Sequence, residues 1–118
     1  MEAQLHSDRV PGAEGAIIED SKLLEYALSL EHSVGRGKAL FFQSIGYTRD
    51  DHEELKYAIL DVLPYVEGRF VKENPDHADN WEATITIRRR DKDGSADICT
   101  VWEVREDRPT RLITVYPA

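Results

Sequence analysis

Lys38 stands in an electrostatically awkward place. It follows Gly37 and opens the apolar segment Ala39-Leu40-Phe41-Phe42-Gln43-Ser44-Ile45, which Gly46 closes. Ala39, Phe42 and Ile45, with Leu40 and Phe41 beside them, form a helical stripe broad enough to be mostly buried. Gly46 is placed to end that helix in a left-handed turn. Lys38 is therefore predicted in the first turn of a buried helix, where the partial positive charge of the N-terminus disfavours an ammonium group. Either the side chain snorkels to water, or the position serves a function. The loop Glu31–Gly37 ahead of it carries two glycines and can approach an anion with its backbone N–H groups, aided by the helix dipole. The G-x-x-x-x-G-K-[ST] spacing of a P-loop is absent.

Other residue types capable of chemistry point less far. Asp50, Asp51, Glu53 and Glu54 are better explained as complements to the dipole of a following helix than as a metal cluster. One cysteine, Cys99, and four scattered histidines make no zinc pattern. Cys99 has no partner for an internal disulfide, which suits a reducing compartment, and it falls within a predicted strand with no histidine nearby in sequence to activate it. No cofactor is implied.

The 118 residues suffice for one domain with a real core. No apolar run approaches the roughly 20 residues of a membrane helix, and the N-terminus lacks a signal-peptide pattern. A cytoplasmic protein is expected. The net charge of −8 is uneven: residues 1–67 hold 6 Lys/Arg and 13 Asp/Glu, and residues 68–118 hold 9 and 10. The acidic total argues against nonspecific nucleic-acid binding, which depends on neutralising phosphates. It leaves room for a local basic face on the C-terminal half or for a basic partner.

The elements that must position Lys38 follow from spacing. Residues 1–16, with Pro11-Gly12 and Glu14-Gly15, are predicted to be a flexible N-terminal arm, and residues 17–118 a single domain. Asp20 or Ser21 can cap a first helix carrying Leu23, Leu24, Ala27 and Leu28 on one face and ending near Leu30. The second helix is that of Lys38. Thr48 and Asp51 make a capping-box arrangement before a third, with Leu55, Ala58, Ile59, Val62 and Leu63 buried. Pro64 and Gly68 close it. From Arg69 the period becomes two. Arg69–Lys72, Trp81–Arg88, a strand carrying Ile98, Thr100, Trp102 and Val104, and Arg111–Tyr116 are predicted strands, with turns at Asn74–Asp76, Asp91–Gly94 and Asp107–Pro109. The fold class is α+β: about three N-terminal helices packed on one face of a four-stranded antiparallel meander. The other face would present Thr84, Thr86, Arg88, Arg105, Thr114 and Tyr116, subject to register. Threonines chosen for strand propensity explain the same pattern without a site.

Several segments resemble a small bacterial family of uncharacterised proteins. They are Lys22–Leu28, the G-x-G-K-A segment with Phe42 and Gly46-Tyr47, Thr100-Val101-Trp102, and the R-L-x-T-x-Y-P ending from Arg111 to Pro117. The resemblance covers roughly residues 18 to 117. Members occur alone, and similar domains end large secreted toxins. Their layout is similar to the barnase/EndoU/colicin/RelE-like ribonucleases. The resemblance implies a toxin-like, metal-independent endoribonuclease with RNA as substrate and a cognate antitoxin or immunity protein as partner. Cleavage of RNA needs a base for the 2′-hydroxyl, an acid for the leaving oxygen and cations for the phosphorane. His32 has the pKa range for acid–base work. Lys38 and Arg111 suit phosphate binding, Arg111 by a two-pronged contact, and Thr114 and Tyr116 suit hydrogen-bond donation. Plain structural roles exist for each: a loop histidine, a surface ion-pair arginine, a packed terminal tyrosine. The alternative function is a non-catalytic acidic binding module of immunity or antitoxin type, which the negative charge favours.

Overall fold

The computed structural model describes residues 4–29, 36–76 and 78–118. Helical elements come first and strands after, as the change of period requires. Helix α1 (Asp20–Lys22) runs directly into a π turn (Leu23–Ala27), followed by α2 (Arg36–Ser44) and α3 (His52–Leu60). Strands β1 (Arg69–Glu73), β2 (Asp79–Arg88), β3 (Ser95–Arg105) and β4 (Arg108–Pro117) form one antiparallel sheet in the order β1-β2-β3-β4. The helical half thus reaches mid-chain, and it includes short 3₁₀ turns at Ala13–Gly15, Arg49–Asp51 and Leu63–Tyr65 besides the three helices.

The first helix differs from the regular one expected. Its N-cap is Glu19, not Asp20 or Ser21, and no side chain caps it. Asp20 lies inside the first turn, and its carboxylate pairs with Lys56 instead. The N–H of Leu28 reaches back five residues to the carbonyl of Leu23, at 2.7 Å. This wider turn leaves Leu23, Ala27 and Leu28 all in the core. The capping box before α3 is present: the Asp51 carboxylate accepts from the Thr48 N–H at 3.0 Å. That bond, more than the nearby Arg90, holds the Asp51 carboxyl below its usual range.

On β2, Ala83, Ile85 and Ile87 are buried and Thr84, Thr86 and Arg88 exposed. The buried set meets Ile98 and Trp102 of β3, Leu112 and Val115 of β4, and Phe42, Leu55 and Ile59 of the helices in one cluster. Phe42, Leu55, Ile59, Ile85 and Trp102 are wholly excluded from solvent. The buried Thr100 hydroxyl finds both its partners within the sheet. It donates to the Ala83 carbonyl at 2.8 Å and accepts from Trp102 Nε1 at 2.8 Å. The last reversal is tighter than expected: Arg105 pairs with Arg108, so Glu106 and Asp107 alone make the turn and Pro109 lies within β4. Proline is tolerated there because β4 is an outer strand, with one side of its backbone outside the sheet's ladder.

Helix α2 ends in a Schellman motif. The N–H of Tyr47 bonds to the carbonyl of Phe42 at 2.8 Å, and that of Gly46 to Gln43 at 3.0 Å. Gly46 has φ 95°, and a Cβ on it would stand 2.7 Å from Arg90 Cβ and 2.8 Å from the Asp91 N. The chain after β2 docks at this corner: the Arg90 N–H bonds to the Ile45 carbonyl, Arg89 to the Ser44 carbonyl, and the Tyr47 hydroxyl to the Arg88 carbonyl. Gly46→Ala is therefore expected to lose at least about 2 kcal/mol, from left-handed backbone strain plus the clash. Urea unfolding checks this, and a loss under 0.5 kcal/mol, on the order of a neutral surface change, would contradict it.

Residues 6–16, expected to belong to a loose arm, lie against the domain instead. Val10 is fully buried and Ala13 nearly so. The Gly68 N–H bonds to the Asp8 carbonyl, and Thr110 donates to the Pro11 carbonyl. The signals read as breakers, Pro11-Gly12 and Glu14-Gly15, turn the chain so that Val10 enters the core.

Candidate functional site

Lys38 lies in the first turn of α2, four residues before Phe42 and seven before Ile45, so it continues the buried stripe of its own helix. Its ammonium is neither fully wet nor buried. Nζ donates to Thr114 Oγ1 of β4 at 2.7 Å. Loss of hydration holds the Lys38 pKa below the ordinary lysine value.

The register of β4 decides what accompanies Thr114. Val101 pairs with Thr114, but the next residue, Trp102, pairs with Leu112, leaving Ile113 over. This extra residue is a bulge, and it resets the alternation of faces. In a regular strand Arg111 and Thr114, three apart, would point to opposite faces. With the bulge, Arg111 stands opposite Glu103, Thr114 opposite Val101 and Tyr116 opposite Cys99. Glu103, Val101 and Cys99 alternate along one face of β3, so all three β4 residues share that face.

Side-chain contacts agree with this register. Arg111 Nε donates to Glu103 Oε1 at 3.1 Å, and Arg111 Nη1 to Glu19 Oε1 at 3.1 Å. Arg105 Nε shares Glu103 Oε1 at 3.2 Å and pairs with Asp76 as well. Tyr116 is 37% exposed. Interaction with Cys99, its partner across the ladder, and then burial raise its hydroxyl above the ordinary phenol value. Cys99 is nearly buried, with Sγ 4.0 Å from Glu82 Oε2. Arg69 pairs with Glu82 farther along the same face. Among the described residues, then, Arg69, Arg105 and Arg111 each meet a carboxylate, and the face is charge-balanced rather than uniformly positive.

The structure thus brings Lys38 and Thr114 into contact and places Arg111 and Tyr116 on the same face as Thr114. His32 lies outside the described residues. Glu103 and Glu19 were missed in the sequence. Glu103 is eight residues from Arg111, and only the strand register makes them neighbours. Glu19 is ninety-two residues away, with no periodic signal linking the two.

Fold and site together define a small α+β domain in which a helix-borne lysine meets a bulged outer strand of an antiparallel meander. The chain belongs to the family described as domain of unknown function DUF6883, which matches residues 9–118. Nearly the whole chain is covered, as expected for a small uncharacterised domain family, and the match takes in the docked segment around Val10. A search of the curated proteins and a search of the solved structures each found no match. Among the described residues, no helix is long and apolar enough to cross a membrane.

Proposed function

We propose that this domain is a toxin-like, metal-independent endoribonuclease whose phosphate site is built on Lys38, Arg111, Thr114 and Tyr116. The observation that carries the reading is the 2.7 Å contact of Lys38 Nζ with Thr114 Oγ1 beside the bulge that turns Arg111 onto the same face. An ammonium and a guanidinium near two hydroxyl donors suit the charge that develops on a phosphorane. In the reaction the 2′-oxygen attacks phosphorus and the P–O5′ bond breaks. The 2′-hydroxyl proton goes to a base and the 5′-oxygen receives one from an acid. His32, six residues before Lys38, is the candidate for proton transfer. The products are a 2′,3′-cyclic phosphate and a 5′-hydroxyl end. A cognate antitoxin or immunity protein in the cytoplasm is part of this reading.

A non-catalytic acidic binding module is the second reading. It is favoured by the net charge of −8 and by a depression of about 720 Å³ in whose lining, among the described residues, five carboxylates, those of Glu73, Asp76, Asp79, Glu106 and Asp107, outnumber the one cation, Arg105. A basic protein would be its partner. Incubating the purified protein with end-labelled single-stranded RNA in EDTA separates the two. The expected result is cleavage to cyclic-phosphate ends. RNA that stays intact at micromolar protein would leave the acidic module as the reading that survives.

A further inference from the structure

We propose that Glu19 is an internal carboxylate ligand of the phosphate site, holding one edge of Arg111 until a phosphate displaces it. The proposal rests on the reading of Arg111 as a phosphate ligand and adds a regulatory contact to it. Glu19 occupies the N-cap of α1, where a side chain ordinarily accepts a hydrogen bond from its own helix. It makes no such bond. Its carboxylate goes instead to Arg111 Nη1, at 3.1 Å.

The backbone sets this contact. The N–H of Ile17 bonds to the Thr110 carbonyl at 2.8 Å, and the N–H of Leu112 bonds to the Ile17 carbonyl at 3.1 Å. This isolated parallel bridge, outside the four strands, pairs Ile17 with Arg111 and delivers Glu19 to the guanidinium two residues later. The two carboxylates on Arg111 are unequal. The Glu103 side chain is 16% exposed and shared with Arg105, so it aims Arg111 from within the sheet face. The Glu19 side chain is 45% exposed and Arg111 itself 43%. An ion pair so open to water is weak and exchangeable. A carboxylate and a phosphate present the same kind of oxygen acceptor to a guanidinium edge, so the two compete. While Glu19 is bound, that edge of Arg111 is closed to phosphate, and the apparent affinity for phosphate falls by the fraction of time it is closed.

The test is a titration with inorganic phosphate, followed by NMR of the Arg111 Nε–H and the Thr114 amide. Glu19→Gln keeps the side-chain size and removes the charge. It is expected to bind phosphate about two- to fivefold more tightly than the wild type, the range an exposed ion pair allows. Asp93→Asn, which removes one charge in the β2–β3 connection, at the end of β3 opposite Glu103 and Arg111, is expected to leave the affinity unchanged. In an Arg111→Ala background, Glu19→Gln is expected to have no effect. Equal affinity of Glu19→Gln and wild type would overturn the role of Glu19 while leaving the phosphate site standing. An equal gain from Asp93→Asn would overturn it too, since the effect would then be general charge. If phosphate shifts neither probe in either protein, the phosphate site fails and Glu19 with it.

Discussion

Replacement of Lys38 by methionine is expected to slow RNA cleavage by about 10²- to 10³-fold without lowering the melting temperature. The rate loss is that of removing one preorganised donor from a site where charge develops. Methionine keeps the length and apolar stem that the buried stripe of α2 requires. It removes the ammonium, whose burial is unfavourable, as its lowered pKa shows. The sign of the pH dependence follows. Between the lowered folded value and the ordinary lysine value, the unfolded chain binds more protons than the folded one, so wild-type stability rises with pH through that window. The burial penalty is fully present below the folded value and fades as pH climbs to the ordinary value. Relative to wild type, the methionine variant should be most stable at neutral pH, and its advantage should shrink as pH rises. Cleavage assays and paired thermal melts from pH 7 to 10 measure both. A variant as active as wild type ends the catalytic role of Lys38. A variant that melts several degrees lower at neutral pH makes the lysine structural.

Phe42→Ala is expected to lose about 3–5 kcal/mol of folding stability, equivalent to roughly 10–25 °C in melting temperature for a domain of this size. The ring is wholly buried, stacks edge-on against Phe41 with centroids 5.2 Å apart, and belongs to the same cluster as Ile85 and Trp102. Alanine there leaves a cavity that the sheet cannot collapse to fill. The position also carries the carbonyl that receives the Tyr47 N–H in the Schellman motif, so repacking would disturb the corner where Gly46 meets Arg90. Because Phe42 lies one helical turn from Lys38, the amine should lose its aim as well. Cleavage is then expected to fall even at temperatures where the variant remains folded. Urea unfolding gives the first effect and single-turnover cleavage at low temperature the second. A stability loss under 1 kcal/mol, small for a buried phenylalanine, would mean that α2 does not anchor the core as described.

Much of this architecture was legible in the sequence because it is local. The change from a spacing of three and four to a spacing of two separates helices from strands near Gly68. The alternation from Ala83 to Ile87 marks the buried face of β2, and Gly46 ends α2 because a left-handed turn needs a residue without a Cβ. Thr48 and Asp51 close a capping box, through bonds spanning three residues, on the short 3₁₀ turn that leads into α3. The spacing of Lys38, Phe42 and Ile45 puts a lysine on an apolar stripe, which is enough to single it out.

What the tertiary structure alone decided is non-local. Period-two counting sends Arg111 and Thr114 to opposite faces. They share one because Ile113 is left over when β4 pairs with β3, and a bulge is a property of two strands together, invisible in either alone. The same holds for the partners of Arg111: Glu103 meets it through register, and Glu19 through a backbone bridge between chain segments more than ninety residues apart. Val10 looked like part of an arm because its neighbours break helices and strands, and only the cleft beside Gly68 and Thr110 gives it somewhere to be buried. Spacing along the chain determined which faces were apolar, because side-chain direction repeats with the backbone. Which charged groups meet on those faces depended on how the strands and the N-terminal segment close against one another.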